Sequence, residues 1–492
     1  MTIFVLALEE KAVELVYDSL FIGGRWVAPS ASGMTSIHSA STEEPIGRVP
    51  EAAAADVDAA VLAARRAFDD PGGWARWEPG RRAAALERFA ASLDSRAEEF
   101  ARRVSAQNGM PITLSRVADA VCGAQLLRYY AGLLRELPVE ERRPGLAGTT
   151  LVRREPVGVV AAITPWNFPQ TLTFSKLAPA LAAGATVVLK PSPPTLLDAF
   201  LVAEAVAEAG LPPGVVNVVP AGAEASAGLV RHPGVDKVAF TGSTAVGRAI
   251  AEECARLLRP VNLELGGKSA AIVLDDADLG SLTESLFEAT LLNNGQTCYL
   301  STRILAPRGR YRQVVDAVTD LAAGLRVGDA LEEDTQVGPL ATRAQRDRVE
   351  GYIARGRAEG GRVTTGGGRP KGLERGWFVE PTVFSGVGND AAVAREEIFG
   401  PVLCVIPYED EDDAVRLADD SPYGLAGTVW SADPERALGV ARRLRTGTVG
   451  VNGYAADIVG PFGGVRNSGN GREFGPEGLA SYQQPKSVYL GS

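Results

Sequence analysis

The sequence predicts an α/β protein built from two doubly wound domains, and three observations carry that prediction. Residues 157–258 alternate apolar strands with helices without interruption, the pattern of a parallel sheet covered on both faces. A second alternation runs from about residue 260 to residue 454. The chain is also 492 residues long, beyond what one core usually organises, so two or three domains are expected.

Taken in order, 17–50 ("YDSLFIGGRWVAPS…") reads as short strands and turns, with Gly23-Gly24 as a hairpin signal between apolar runs. Ala, Arg, Glu and Leu then recur at helical spacing over Asp56–Phe68, Glu78–Ala106 and Leu114–Leu134. Pro138, Pro144, Gly145 and Gly148 interrupt the pattern. "VGVVAAITP" (157–165) is β-branched without polar alternation, as a strand buried on both faces should be. A helix to Ala182, strands at 185–192, 215–220 and 236–242, and helices at 195–209, 223–231 and 244–258 follow. The second layer begins at "PVNLELGGKSAAIVLDDAD", which sets a domain junction near residue 260. It continues through the helix carrying "EATLLNNGQTC", the strand "TRILAP", a helix at 309–324 and a glycine-rich segment at 360–376. "PVLCVIPYEDEDDAVRLADD", "GLAGTVWSAD" and "TGTVGVNGY" complete it. The acidic run 409–413 fits a solvated helix N-terminus, where carboxylates suit the dipole, better than a metal site.

Composition removes several function classes. A net charge of −10, from 50 basic and 60 acidic residues, gives no general attraction to nucleic acid or anionic membrane. Four scattered cysteines (Cys122, Cys254, Cys298, Cys404) form no CxxC pair, so neither a disulfide framework nor a zinc ribbon is expected. The opening "MTIFVLALEEKAVELV" lacks a basic n-region and a cleavage-like site. No apolar run approaches the ~20 residues of a membrane helix, so a cytoplasmic location is the default expectation. With only His38 and His232, both placed like turn residues, histidine-dependent triads and metal sites have too little material, and no metal ligand set is read.

Four stretches carry chemistry. "KVAFTGSTAVG" puts Gly242-Ser243 between a strand and a helix, an anion site by geometry, although a plain strand–turn–helix reads the same way. It is neither a P-loop, since Arg248 stands where lysine belongs, nor a GxGxxG turn. "VVLKPS" ends a strand on Lys190, a ribose or phosphate ligand or a snorkelling surface lysine. Glu264, in the apolar "LELGGKS", is either salt-bridged or tuned upward as a base. Trp166 and Asn167 lie between two prolines in "TPWNFP", where a rigid amide could help to stabilise an oxyanion. Cys298 in "NNGQTC" reads as a buried spacer or a nucleophile, and a metal ligand is disfavoured because no His or Cys lies nearby.

"PWNFP", "LKPS", "FTGS", "LELGGKS", "NNGQTC", "EEIFGPV" and "PFGG" occur in this order, and the set resembles the aldehyde dehydrogenase superfamily from about residue 17 to the end. The resemblance implies a Rossmann-like cofactor domain (17–136 and 152–262), a catalytic domain (263–470) and an oligomerisation segment (137–151 and 478–492). It implies Cys298 as thiol nucleophile, Asn167 with the Cys298 amide as oxyanion hole, and Glu264 as the base that hydrolyses a thioester after hydride has left. Lys176 and Glu473 resemble a proton path behind that base. For the cofactor it implies Lys190 and Ser192 at the adenosine ribose, Gly242 and Ser243 at the pyrophosphate, and Glu397 with Phe399 at the nicotinamide. Ile163, Thr164, Pro165, Trp166, Gly222, Phe240, Val246 and Leu265 line the remainder. Where NAD-preferring members often carry a ribose-binding glutamate this chain has Pro193, so NAD is expected with NADP left open.

The substrate mouth is expected from Phe168, Leu172, Ser175, Thr297, Tyr299, Asp457, Ile458 and Phe462. Ser175 and Asp457 replace aromatics of many relatives, which suggests a roomier or more polar mouth unless Asp457 points to solvent. The implied reaction oxidises an aldehyde to its acid, by a homodimer or homotetramer. A CoA-acylating enzyme fits less well because Glu264 is present. A cofactor-independent esterase side activity or a catalytically silent scaffold are the alternatives.

Overall fold

The computed structural model describes residues 14–146 and 148–490; the N-terminal stretch read for a secretion signal falls largely outside them. The first layer is an eight-stranded sheet. Its centre is five parallel strands in the spatial order Val261–Glu264, Lys237–Thr241, Val159–Ile163, Thr186–Lys190, Val216–Val218. Antiparallel edges are added by Gly469–Asn470 beside Val261–Glu264, and by the hairpin Leu20–Ile22 and Arg25–Val27 beyond Val216–Val218. The Gly23-Gly24 turn therefore closes the hairpin as expected.

Alternation along each central strand feeds two cores. Val160, Ala162, Val187 and Leu189 pack on one face, and Val159, Ala161, Ile163 and Val188 on the other. Strand order reverses between Val159–Ile163 and Lys237–Thr241, so a crevice opens beyond the carboxyl ends of that pair. The second layer is a seven-stranded sheet ordered Arg362–Thr365, Thr382–Ser385, Val402–Tyr408, Arg303–Pro307, Ala270–Val273, Gly427–Trp430, Gly450–Val451, with only the first strand antiparallel.

Two expected domain boundaries fall inside strands and are corrected here. Val261–Glu264 pairs with Lys237–Thr241, so the chain changes sheets across residues 265–269 rather than near 260. Gly148–Pro156 is one strand, paired with Glu140–Gly145 and Gln483–Leu490 in a separate three-stranded sheet, so that unit extends past 151. Gly469–Asn470 also returns to the first sheet, so the last two residues of the expected segment 263–470 pair with Val261–Glu264.

The helical stretches differ as well. Glu78–Ala106 is two helices, Pro79–Asp94 and Ala97–Asn108, broken where Ser95 Oγ and Arg96 Nη1 both bond the Ser92 carbonyl. The 114–134 stretch contains a π turn at Ser115–Asp119 before the helix Cys122–Glu136. That turn brings the Asp119 carboxylate onto the Gln170 and Thr171 amides, at 3.2 and 2.8 Å, at the start of the helix Pro169–Ala183. The acidic run does begin a helix, Glu411–Asp419, with Asp410 accepting from the Asp413 amide at 2.9 Å. No described helix is long and apolar enough to cross a membrane.

Candidate active site

The carboxyl edge of the first sheet faces the amino edge of the second, and the chemistry-bearing residues leave the scaffold on the loops between them. Residues 164–168 follow Val159–Ile163, Gly242-Ser243 follows Lys237–Thr241, and 265–269 joins Val261–Glu264 to Ala270–Val273. The Cys298 loop precedes Arg303–Pro307, and residues 396–400 precede Val402–Tyr408. Together they wall a cavity of about 280 Å³ lined by Pro165, Trp166, Asn167, Gly242, Ser243, Leu265, Cys298, Glu397 and Phe399.

Close approach depends on Gly266-Gly267. A Cβ on Gly266 would collide with the Glu397 carboxylate, and one on Gly267 with the Cys298 carbonyl. The Gly267 amide donates to Glu397 Oε1 at 3.0 Å.

The Cys298 loop is held by amides. Asn293 and Asn294 adopt left-handed φ of 51° and 60°, which asparagine tolerates better than most residues. Asn293 Nδ2 donates to the Asn167 carbonyl at 2.9 Å, and Asn294 Nδ2 to the Gly109 and Pro339 carbonyls at 2.7 and 2.9 Å. Asn167 Nδ2 donates to the Gln296 carbonyl at 2.9 Å, while Asn108 Nδ2 bonds the Trp166 and Asn167 carbonyls at 2.9 and 3.1 Å. This lattice fixes Asn167 relative to Cys298.

The electrostatics are those of a buried site. Burial pushes the Cys298 thiol up, and the charges of Glu397 and Glu264 push it further. Burial, then the charge of Glu473, holds the Glu264 carboxyl well above the usual range, with Lys176, Arg472 and the Gly464 backbone pulling the other way. Neither Glu264 oxygen has a full hydrogen-bond partner among the described residues, an arrangement that structure alone would penalise. Behind it, the buried Lys176 Nζ donates to Glu473 Oε1 and to Thr241 Oγ1, both at 2.6 Å. Burial raises Glu397 to about 7, against the Gly267 amide, Arg348 and Lys268.

A second cavity, of about 530 Å³, lies on the other side of the Gly242-Ser243 turn. It is lined by Ile163, Lys190, Pro193, Gly222, Phe240, Val246 and Ile250, with Ser226, Arg231, Glu252 and Glu253. Burial lowers Lys190 to about 8. Ser243 caps the helix Thr244–Arg256, its Oγ accepting from the Val246 amide at 3.4 Å. A helix start flanked by two cavities, with a lysine in one and a carboxylate in the other, fits an extended dinucleotide with its pyrophosphate at the turn.

The sequence of residues 26–488 matches the profile of the aldehyde dehydrogenase family. The chain is 56% identical over 475 residues to a geranial dehydrogenase of Castellaniella defragrans, covering 96% of this chain and 99% of that protein. The chain belongs to the aldehyde dehydrogenase family. Among solved structures, an aldehyde dehydrogenase of Mycobacterium tuberculosis complexed with NAD+ superposes with a TM-score of 0.95 at 48% identity, over 97% of this chain and 99% of that one. Aldehyde dehydrogenase C of Pseudomonas syringae, a variant complexed with NAD+ and octanal, gives 0.92 at 40% identity, over 96% of each chain.

For this aldehyde dehydrogenase some expected site residues lie elsewhere. Thr164 lies between the lining residues Ile163 and Pro165 and donates its amide to the Lys190 carbonyl at 3.1 Å; Ser192 precedes the lining Pro193, and its carbonyl accepts from the Thr195 amide at 3.0 Å. Ser175 is fully buried with its Oγ bonded to the Leu172 carbonyl at 3.1 Å, so it adds no polarity to a mouth. Asp457 is exposed and accepts from the Val459 amide at 3.1 Å, which makes it a turn residue facing solvent. Thr297 is buried and bonds the Leu292 carbonyl at 3.2 Å.

Tyr299, Ile458 and Cys298 pack on one cluster with Phe462, while Phe168 and Leu172 are half-buried at the start of the helix Pro169–Ala183. Sequence reasoning missed Tyr454, whose ring stacks on Tyr299 at 4.4 Å, and Asn108, Gln345 and Arg348. An aromatic after "VNG" was a weak signal for Tyr454; nothing local marks the other three.

Proposed function

We propose that the protein oxidises an aldehyde to its carboxylic acid with NAD, through a covalent thioester on Cys298. The supporting observation is the convergence of Cys298, Asn167 and Glu397 on one cavity, with the unpartnered Glu264 carboxyl coupled to the thiol by charge. The Cys298 thiol gives up its proton to solvent as its sulfur bonds the aldehyde carbon and the carbonyl π pair moves onto oxygen. The Asn167 amide, locked to the Gln296 carbonyl through one N–H, offers the other with the Cys298 backbone N–H to the oxyanion. When bound, the dinucleotide supplies the hydride acceptor. Glu264 takes a proton from the water that cleaves the thioester, and Lys176 with Glu473 carries that proton away. Lys190 and Glu397 hold the two riboses, and Gly242-Ser243 the pyrophosphate. Pro193 stands where NAD-preferring members often carry a ribose-binding glutamate, while Glu252 and Glu253 still line the adenosine cavity beside Arg231, so NAD is preferred.

The substrate is a neutral, apolar aldehyde. Tyr299 and Ile458 pack with Cys298 on an apolar cluster that includes Phe462, Tyr454 stacks on Tyr299, and the relative at 56% identity is named for geranial. With purified protein, NAD reduction followed by absorbance is expected with terpenoid or medium-chain aldehydes. Their kcat/KM should exceed that of a carboxylate-bearing semialdehyde by roughly a hundredfold, the cost of leaving a charge in an apolar site. Equal rates for both classes would contradict this reading, and NADP in parallel tests the preference for NAD.

The three-stranded sheet carries exposed Tyr489 on Gln483–Leu490 and exposed Leu146 in the turn after Glu140–Gly145, consistent with burial against other copies in a homodimer or homotetramer. Light scattering should find two or four chains, and a monomer would contradict it. A cytoplasmic location belongs to the same reading.

A further inference from the structure

The helix Arg343–Ala358 is rich in charged residues, and one of its partly exposed faces lies along the segment 396–399. Gln345, Arg348, Tyr352 and Arg355 follow one another at intervals of three and four, so they line one face. Each bonds the segment 396–399. Gln345 Nε2 donates to the Ile398 and Phe399 carbonyls at 3.2 and 2.7 Å. Arg348 donates to the Glu397 carbonyl at 2.5 Å through Nη2 and to the Ile398 carbonyl at 3.3 Å through Nε. Tyr352 Oη and Arg355 Nη1 hold the two oxygens of Glu396 at 2.7 and 2.9 Å.

The segment they hold needs holding. Phe399 sits at φ 63°, a left-handed conformation that a bulky residue adopts only under constraint. Its ring meets Trp166 edge-on at 5.4 Å across the cavity, and the preceding Glu397 faces the same space. Only Gln345 and Arg348 of the helix also reach the cavity wall.

We infer that this helix face is a clamp that positions Glu397 and Phe399 for the cofactor, with Arg348 as its principal positioning residue. The inference rests on the reading of Glu397 as a ribose ligand. Glu397 can accept from both ribose hydroxyls at once only when it is ionised. The groups facing it are the Gly267 amide and Lys268 from the 265–269 loop, Arg348 from the helix, the Cys298 thiol, and Tyr423. Arg348 favours the ionised form. Cofactor affinity is therefore present above the Glu397 pKa and lost as pH falls through about 7. Removing Arg348 raises that pKa, so the loss begins at higher pH.

The test is the NAD dissociation constant, by calorimetry across pH 5.5 to 8.5, for the intact enzyme and four variants. Arg348→Met should weaken binding roughly tenfold, as for a lost charge-assisted bond, and move the acid limb upward. Arg348→Lys should return the limb but only part of the affinity. The Tyr352→Phe/Arg355→Met pair, which touches no cavity, should weaken binding roughly threefold through Glu396. Glu397→Gln should weaken binding and flatten the limb. The clamp is overturned if Arg348→Met binds like wild type while Glu397→Gln does not. It is also overturned if Arg348→Met alone weakens binding and the Tyr352/Arg355 pair has no effect, since Arg348 would then be a direct ligand. Unchanged binding in Glu397→Gln would remove the ribose assignment itself.

Discussion

Cys298→Ala should abolish aldehyde oxidation, by on the order of 10⁴-fold or more, while NAD binds as in the intact enzyme. The expectation is this large because no other thiol can substitute. Cys122, Cys254 and Cys404 are buried apart from the cavity. At rest the Cys298 thiol is held up by burial and by the charges of Glu397, Glu264 and Glu473, so it reacts only where an oxyanion site compensates and its proton can pass to solvent. Alanine also leaves the amide lattice intact, because Asn167, Asn293 and Gln296 are tied through backbone carbonyls rather than through the sulfur. Absorbance of reduced nicotinamide measures the loss, and calorimetry the retained binding. Residual oxidation within tenfold of wild type would remove Cys298 from the reaction.

Glu264→Gln should separate the two halves of the reaction. Hydride leaves from the adduct on Cys298 without Glu264, so one equivalent of reduced nicotinamide per active site should appear as a burst. The following steady state should be slower by about 10²- to 10⁴-fold, the usual contribution of a general base. In the intact enzyme the steady rate should rise with pH, because burial and Glu473 raise the Glu264 carboxyl and only its ionised form accepts a proton. The glutamine variant should lose that rise. Rapid-mixing absorbance gives both amplitudes; a variant with neither burst nor turnover would place Glu264 before hydride transfer instead.

Much of the site was legible because each key residue ends an apolar strand or opens a helix. Ile163, Lys190, Thr241 and Glu264 terminate four strands whose β-branched composition announces them, so their neighbours had to meet at one sheet edge. What was not legible depends on distant pairing. Gly469–Asn470 joins the first sheet across about two hundred residues of chain and has no apolar pattern of its own. The left-handed Asn293-Asn294 pair and the π turn at Ser115–Asp119 answer to tertiary partners, Gly109, Pro339 and Gln170 among them.

The helix Arg343–Ala358 escaped for a different reason. Its buried side chains are few, chiefly Val349 and Ile353 with Arg346, so its period is written mostly in polar residues that bond the 396–399 segment. Asp457 and Ser175 misled in the opposite sense. Their positions resemble a substrate mouth, but one caps a surface turn and the other bonds its own helix.

The central claim is a covalent acyl intermediate on Cys298. The measurement that tests it most directly is intact-protein and peptide mass spectrometry of Glu264→Gln, quenched in acid after mixing with NAD and an apolar aldehyde. A mass increase equal to the acyl group, located on the peptide containing Cys298 and dependent on NAD, is the predicted result. Turnover with no adduct there, or an adduct on another residue, would contradict it.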